Sequence, residues 1–216
     1  ILVEGGKFDW MQNDKFPTMT KPYEGYHGLS FAEEFGPTAF TMKARAEGMR
    51  DFGPCLSPQN AWNVLQGIET LSVRMQKHCS NAEKMVEYLL SHESVAWVSH
   101  PSVPDHPDYD LAKKLLPHGK GSMIAFGIKG GKEAGEAFIN NVKLASHLAN
   151  VGDTRTLVIH PASSTHSQMD EATLKFAGLS QDMIRLSVGI EDFDDIRNDF
   201  ETGFRAARRP RLVSNQ

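Results

Sequence analysis

Apolar residues recur along this chain with two periods, and the switches between them divide it. Ile1-Leu2-Val3, closing on Gly5-Gly6, reads as a buried strand that ends in a turn. Such a strand needs neighbours to pair with, so the chain is expected to be a piece of a longer protein. Residues 7–50 show weak periodicity. They carry Phe8, Trp10, Phe16, Tyr23, Tyr26, Phe31, Phe35 and Phe40 among glycines and prolines. That predicts a long connection with short helices near 30–35 and 38–48, of a kind that is functional or packed on another subunit. Ser57-Pro58 then opens a helix, because serine caps well and proline suits the first helical position. Trp62, Leu65, Ile68, Leu71, Met75, Cys79, Ala82, Met85, Val86 and Leu89 follow at helical spacing. They predict a long linking helix over 57–92, interrupted, if at all, at Gly67 or Ser72.

After His92 the period shortens. Val95–Val98, Met123–Ile128, Thr156–Ile159 and Ile184–Val188 read as strands, with a proline-rich loop over 101–109. Glu133–Ala149 is predicted as a helix carrying Ala137, Phe138, Val142, Leu144, Ala145 and Leu148 on or near one face. The last helix is expected from about Phe193 to Arg208, capped at Asp192. The strands alternate instead of being uniformly apolar. This favours an α+β fold with a sheet covered by helices on one face. The expected divisions are 1–56, 57–92 and 93–216.

Composition narrows the class further. The 216 residues carry a formal net charge of -4, which gives no electrostatic reason to seek nucleic acid or an anionic membrane. The basic cluster Arg205, Arg208, Arg209 and Arg211 suits a solvated helix C-terminus. No apolar run reaches the roughly 18 residues needed to span a bilayer. Cys55 and Cys79 have no metal-type spacing and are expected as free thiols, which fits a reducing, cytoplasmic setting.

Little in the chain has the spacing of a known catalytic motif. The nine histidines form no His-Glu-x-x-His, and no metal site is expected. Gly-x-Ser-x-Gly and phosphate-binding glycine loops are absent, and Gly130-Gly131 is better read as a turn. Arg185 differs, because it sits inside the alternating run Ile184-Arg185-Leu186-Ser187-Val188. A guanidinium there faces solvent or a cleft. In a cleft it could grip a carboxylate through two parallel hydrogen bonds, although a solvated arginine is the commoner outcome.

Longer runs carry a resemblance. Ile184–Asp192, reading IRLSVGIED, resembles a signature of the Cys/Met-metabolism pyridoxal-phosphate enzymes of fold type I. Asn150–His166 is similar to that family's substrate loop. Gly67–Met75 is similar to its linking helix, and Phe8-Asp9-Trp10 also fits. The resemblance implies a chain that begins in the end of the large cofactor domain (1–56), passes through the linking helix and ends in a substrate-orienting α+β domain (93–216). It implies that Arg185 holds the α-carboxylate of an amino-acid substrate, that Asn150 contacts that carboxylate or the surroundings of the cofactor, and that Thr165 supports the loop. Relatives that process cystathionine commonly read Ser-Leu-Gly-Gly-x-Glu-Ser-Leu where this chain has Asn150, Asp153 and Arg155 at the first, fourth and sixth places. The missing glutamate, together with the long aromatic segment over 8–50, implies the branch that converts O-acetyl-L-homoserine and sulfide to L-homocysteine and acetate. The neighbouring alternatives are O-succinylhomoserine sulfhydrylase and cystathionine γ-synthase. A non-catalytic α+β interaction module is the alternative of another class. The resemblance also implies pyridoxal 5'-phosphate as cofactor, a cofactor lysine absent from this chain, an upstream half as partner, and a homo-oligomer, by family a tetramer.

Overall fold

The computed structural model describes residues 2–12 and 14–208, in two units, Ile1–Gln66 and Gly67–Gln216. In the first unit, four short helices follow one another: α1 Pro17–Thr20, α2 Phe31–Phe35, α3 Ala39–Lys43 and α4 Arg50–Phe52. A π-helical stretch, Ala44–Met49, lies between α3 and α4. Buried Met19, Phe31 and Ala39 form a small core, with Trp10, Tyr26, Leu29 and Phe35 packed against it.

The strand expected at the start does not form. Ile1 lies outside the described residues, and Leu2–Gly6 pairs with no strand, leaving Leu2 and Val3 exposed. With no edge to join, the segment is fixed instead by one side chain. The Glu4 carboxylate accepts from Phe40 N at 3.2 Å, Thr41 N at 3.0 Å and Thr41 Oγ1 at 2.9 Å, and so satisfies free amides in the first turn of α3.

Ser57 starts the next helix as predicted, its Oγ accepting from Asn60 N at 3.1 Å. This helix, α5 (Pro58–Glu69), gives way at Thr70 to α6 (Leu71–Ser91). The break falls at neither Gly67 nor Ser72. Arg74 accounts for its place: the guanidinium folds back to donate to the Gly67 carbonyl and to Thr70 Oγ1, satisfying a carbonyl at the end of α5.

The second unit continues with β1 Val95–Ser99, α7 Tyr109–Leu115, β2 Met123–Ile128, α8 Gly131–Ile139, β3 Ser146–His147, β4 Leu157–Ile159, α9 Glu171–Phe176, β5 Met183–Ser187 and α10 Phe193–Ala207. The five strands form one sheet in the order β1-β2-β5-β4-β3, antiparallel except for the β3–β4 pair. Helices α6, α8 and α10 bury one face of it. Met85 and Leu89, Phe138, and Phe200 and Phe204 close over Phe126, Ile184, Leu186 and Val158. Burial of each large side chain contributes about 1.5–3 kcal/mol.

The helix predicted over 133–149 is corrected to α8 alone, which ends at Ile139. The competing force is polar. The Asp199 carboxylate accepts from Lys143 N at 2.6 Å and Ala145 N at 2.9 Å, and Ser146 N then pairs with the Thr156 carbonyl. Leu144 and Leu148 stay exposed, so the apolar spacing that suggested a helix buries little. The short helices α7 and α9 were not anticipated; each buries a single residue, Ala112 and Leu174.

Candidate functional site

Alternation along β5 separates its side chains. Ile184 and Leu186 are fully buried under the helices, while Arg185 points to the opposite face and is half-buried. In the register, Arg185 lies between Ala125 of β2 and Ile159 of β4. Among the described residues no carboxylate pairs with its guanidinium. A half-buried guanidinium flanked by apolar neighbours keeps its five donors in a rigid fork, ready for a planar anion.

Thr165 and Asn150 come from the two ends of β4. Beyond Ile159, the chain turns tightly. Ser164 Oγ donates to His160 O at 2.6 Å, and His166 N bonds Pro161 O at 2.9 Å. Thr165 rides on this turn, exposed, with Oγ1 at 2.8 Å from His166 Nδ1. Asn150 lies before β4, also exposed, and its Oδ1 accepts from Val151 N at 2.8 Å. Thus the turn beyond β4 carries Thr165 past the strand that pairs with Arg185, and Asn150 and Thr165 each keep a local bond. None hydrogen-bonds another of the three among the described residues. Arg155, in the same loop as Asn150, is engaged by Asp153: Nη2 lies 3.2 Å from Oδ2 and Nε 3.3 Å from Oδ1. The hydrogen bonds hold the Asp153 carboxyl below its ordinary range and the guanidinium above its own.

Several residues that fix this region gave no separate signal in the sequence. His160 is fully buried, with Nδ1 at 2.8 Å from Ser163 Oγ and Nε2 at 2.8 Å from the Gln181 carbonyl. It ties the turn after β4 to the segment entering β5, and burial holds its pKa below the ordinary histidine value. Where β5 ends, His78 Nδ1 meets Val188 O at 2.7 Å, and the Asn81 amide donates to the carbonyls of Gly189 and Glu191. Both side chains lie within the apolar stripe of α6, and a buried polar pair there is the only mark that could have singled them out.

The site's reach is limited. The row containing Arg185 offers Ser99, Ala125 and Ile159 across the sheet. It has no amine to form an imine with an aldehyde and no aromatic plane to stack on a pyridine ring. The guanidinium among them suits a planar anion, and these residues do not by themselves hold pyridoxal phosphate.

A sequence model of the Cys/Met metabolism PLP-dependent enzymes matches residues 9–205. The chain belongs to that family. Within the family it is 48% identical over 200 residues to O-acetyl-L-homoserine sulfhydrylase 1 of Thermus thermophilus, covering 93% of this chain and 47% of that protein. It is 49% identical over 210 residues to O-acetyl-L-homoserine sulfhydrylase of Corynebacterium glutamicum, covering 95% and 48% respectively. A crystal structure from Campylobacter jejuni, of a protein assigned provisionally as an O-acetylhomoserine (thiol)-lyase and containing N'-pyridoxyl-lysine-5'-monophosphate, superposes with a TM-score of 0.78 at 36% identity. That superposition covers 90% of this chain and 46% of the other. The chain therefore spans about half the length of the curated relatives it matches. The resemblance to the family and the α+β fold are both borne out. Among the described residues no helix is long and apolar enough to cross a membrane.

Proposed function

We propose that this chain is the carboxyl-terminal part of a cytoplasmic, PLP-dependent O-acetyl-L-homoserine sulfhydrylase, in which Arg185 binds the substrate α-carboxylate. The observation that carries this reading is the half-buried guanidinium of Arg185, unpaired by any described carboxylate, on the open face of β5 in a chain of this family. The relatives' names supply the donor and the acceptor class. On this reading residues 1–56 end the cofactor domain, 57–92 link, and 93–216 orient the substrate, with Asn150 and Thr165 shaping the loop beside the carboxylate.

Bound in the whole protein, the cofactor supplies the electron sink that lets acetate leave the γ-carbon. This chain's part is orientation. A carboxylate held by two parallel hydrogen bonds cannot swing, so the reacting bonds keep one angle to the cofactor plane. The upstream half is the partner that completes the site, in a homo-oligomer. The exposed stripe Trp62, Leu65 and Ile68 supports such a partner, because an apolar helical face of this kind is built to be covered.

The test is steady-state kinetics on the full-length enzyme, with acetyl and succinyl donors and with sulfide or cysteine as acceptor. Arg185→Ala is expected to raise KM for O-acetyl-L-homoserine by about tenfold or more, with cofactor absorbance intact. An unchanged KM defeats the assignment of Arg185. A preference for the succinyl donor or for cysteine defeats the assignment of the reaction.

A further inference from the structure

The turn leaving β5 is clamped from two sides. From α6 come His78, which meets the Val188 carbonyl, and Asn81, whose amide donates to Gly189 O at 3.0 Å and Glu191 O at 2.8 Å. From the segment entering β4 comes Thr156. The Glu191 carboxylate accepts from Thr156 N at 2.6 Å and from Thr156 Oγ1 at 2.8 Å, and Gly189 N donates back to that hydroxyl at 2.9 Å. Ile190 N adds a bond to Thr154 O at 2.9 Å. Thr156 and Asn81 are fully buried. The approach is so close that a Cβ on Gly189 would overlap the Glu191 carboxylate and the backbone of Thr154 and Arg155.

A carboxylate taking two bonds from one residue holds that residue in both distance and angle. Thr156 ends the loop that carries Asn150, Asp153 and Arg155, and Glu191 lies six positions after Arg185 on the chain leaving the same strand. The loop is thus tied through one carboxylate to the end of the strand that carries the guanidinium. Charge-assisted hydrogen bonds of this sort are about twice as strong as neutral ones, and in a buried network they resist replacement by water.

We propose that Glu191 is a positioning residue, which sets the distance between the Asn150 loop and Arg185 and thereby the fit of the amino-acid carboxylate. This rests on the reading of Arg185 given above. The reacting atoms lie elsewhere, so the effect reaches the reaction only through placement of the substrate.

The experiment compares wild type, Arg185→Ala, Glu191→Ala and Glu191→Gln in the full-length holoenzyme. It reads KM and kcat for O-acetyl-L-homoserine, KM for sulfide, and amide hydrogen exchange over 150–156. Glu191→Ala is expected to raise KM for the amino acid by about tenfold, to leave KM for sulfide unchanged and to speed exchange in the loop. Glu191→Gln keeps an oxygen for Thr156 N and is expected to recover most of the affinity. Phe200→Leu, a change in the helix core, serves as a control that lowers the melting temperature without moving KM. If Arg185→Ala raises KM and Glu191→Ala does not, the positioning role is overturned and the carboxylate site stands. If Arg185→Ala leaves KM unchanged, the site reading itself has failed and the role of Glu191 falls with it.

Discussion

Gly135→Ala places one methyl group where the structure has no room for it, and the cost can be worked from the contacts. The new Cβ on α8 would stand 2.6 Å from both Cδ2 and Nε2 of His160. Ordinary van der Waals contact begins at 3.4 Å, so something must move by about 0.8 Å (3.4 less 2.6). The imidazole cannot retreat freely. It is fully buried, and both nitrogens are engaged, one with Ser163 and the other with the Gln181 carbonyl. Overpacking of this kind costs about 1–3 kcal/mol, and losing one buried hydrogen bond adds about 1–3 more. The expected total is about 2–6 kcal/mol, read as a shift of the urea midpoint at constant slope. His160→Ala removes the obstructing ring, at its own cost in cavity and lost bonds. The double variant should therefore be more stable than the sum of the single losses predicts, by about 1 kcal/mol or more. Strict additivity, or a Gly135→Ala loss under about 0.5 kcal/mol, would refute this account of why a glycine stands there.

Two further outcomes follow from titration and capping. Burial holds His92, His100 and His160 below the ordinary histidine value of 6.5. The unfolded chain therefore binds more protons than the native one below that pH, and stability should fall as pH drops from about 6.5 toward 5. Urea midpoints that stay flat across that window would contradict it. Asp170→Ala removes the acceptor that caps α9, where Oδ1 takes the Thr173 amide at 2.8 Å. It should cost about 1 kcal/mol by the same assay, and replacement by serine should restore most of the loss.

The legible parts of the fold were those where burial sets the period. Four strands and the last helix follow their apolar residues closely, because each lays a continuous face on one core. The failures share another cause. At 140–149 a helical spacing exists, but the Asp199 carboxylate takes the amides that a helix would need, and that partner lies far along the chain. At the start, the strand pattern is present without a pairing edge, and Glu4 caps a helix instead. Helices α7 and α9 bury too little to print a period on the sequence. The site followed the same rule. Arg185 stood out because it puts a charge at the outward place of an alternating strand. His160, Asn81 and Thr156 did not, because their importance lies in bonds to distant backbone atoms.

That difference gives the run Ile184–Asp192 a physical reading. Seven of its nine residues answer identifiable demands. Ile184, Leu186 and Val188 must be apolar to lie under α6, α8 and α10. The open face takes a polar side chain, and Arg185 stands there between Ala125 and Ile159. Gly189 must lack a Cβ because Thr154 and Arg155 pass against it, and Glu191 must accept two bonds from Thr156. Asp192 must end the turn and cap α10, accepting from Asp194 N at 2.9 Å. A strand that only filled the core would need the first three alone. The other constraints make sense if the position of Arg185 relative to the loop before β4 matters to within a fraction of an ångström, which is what holding a substrate at a fixed angle requires.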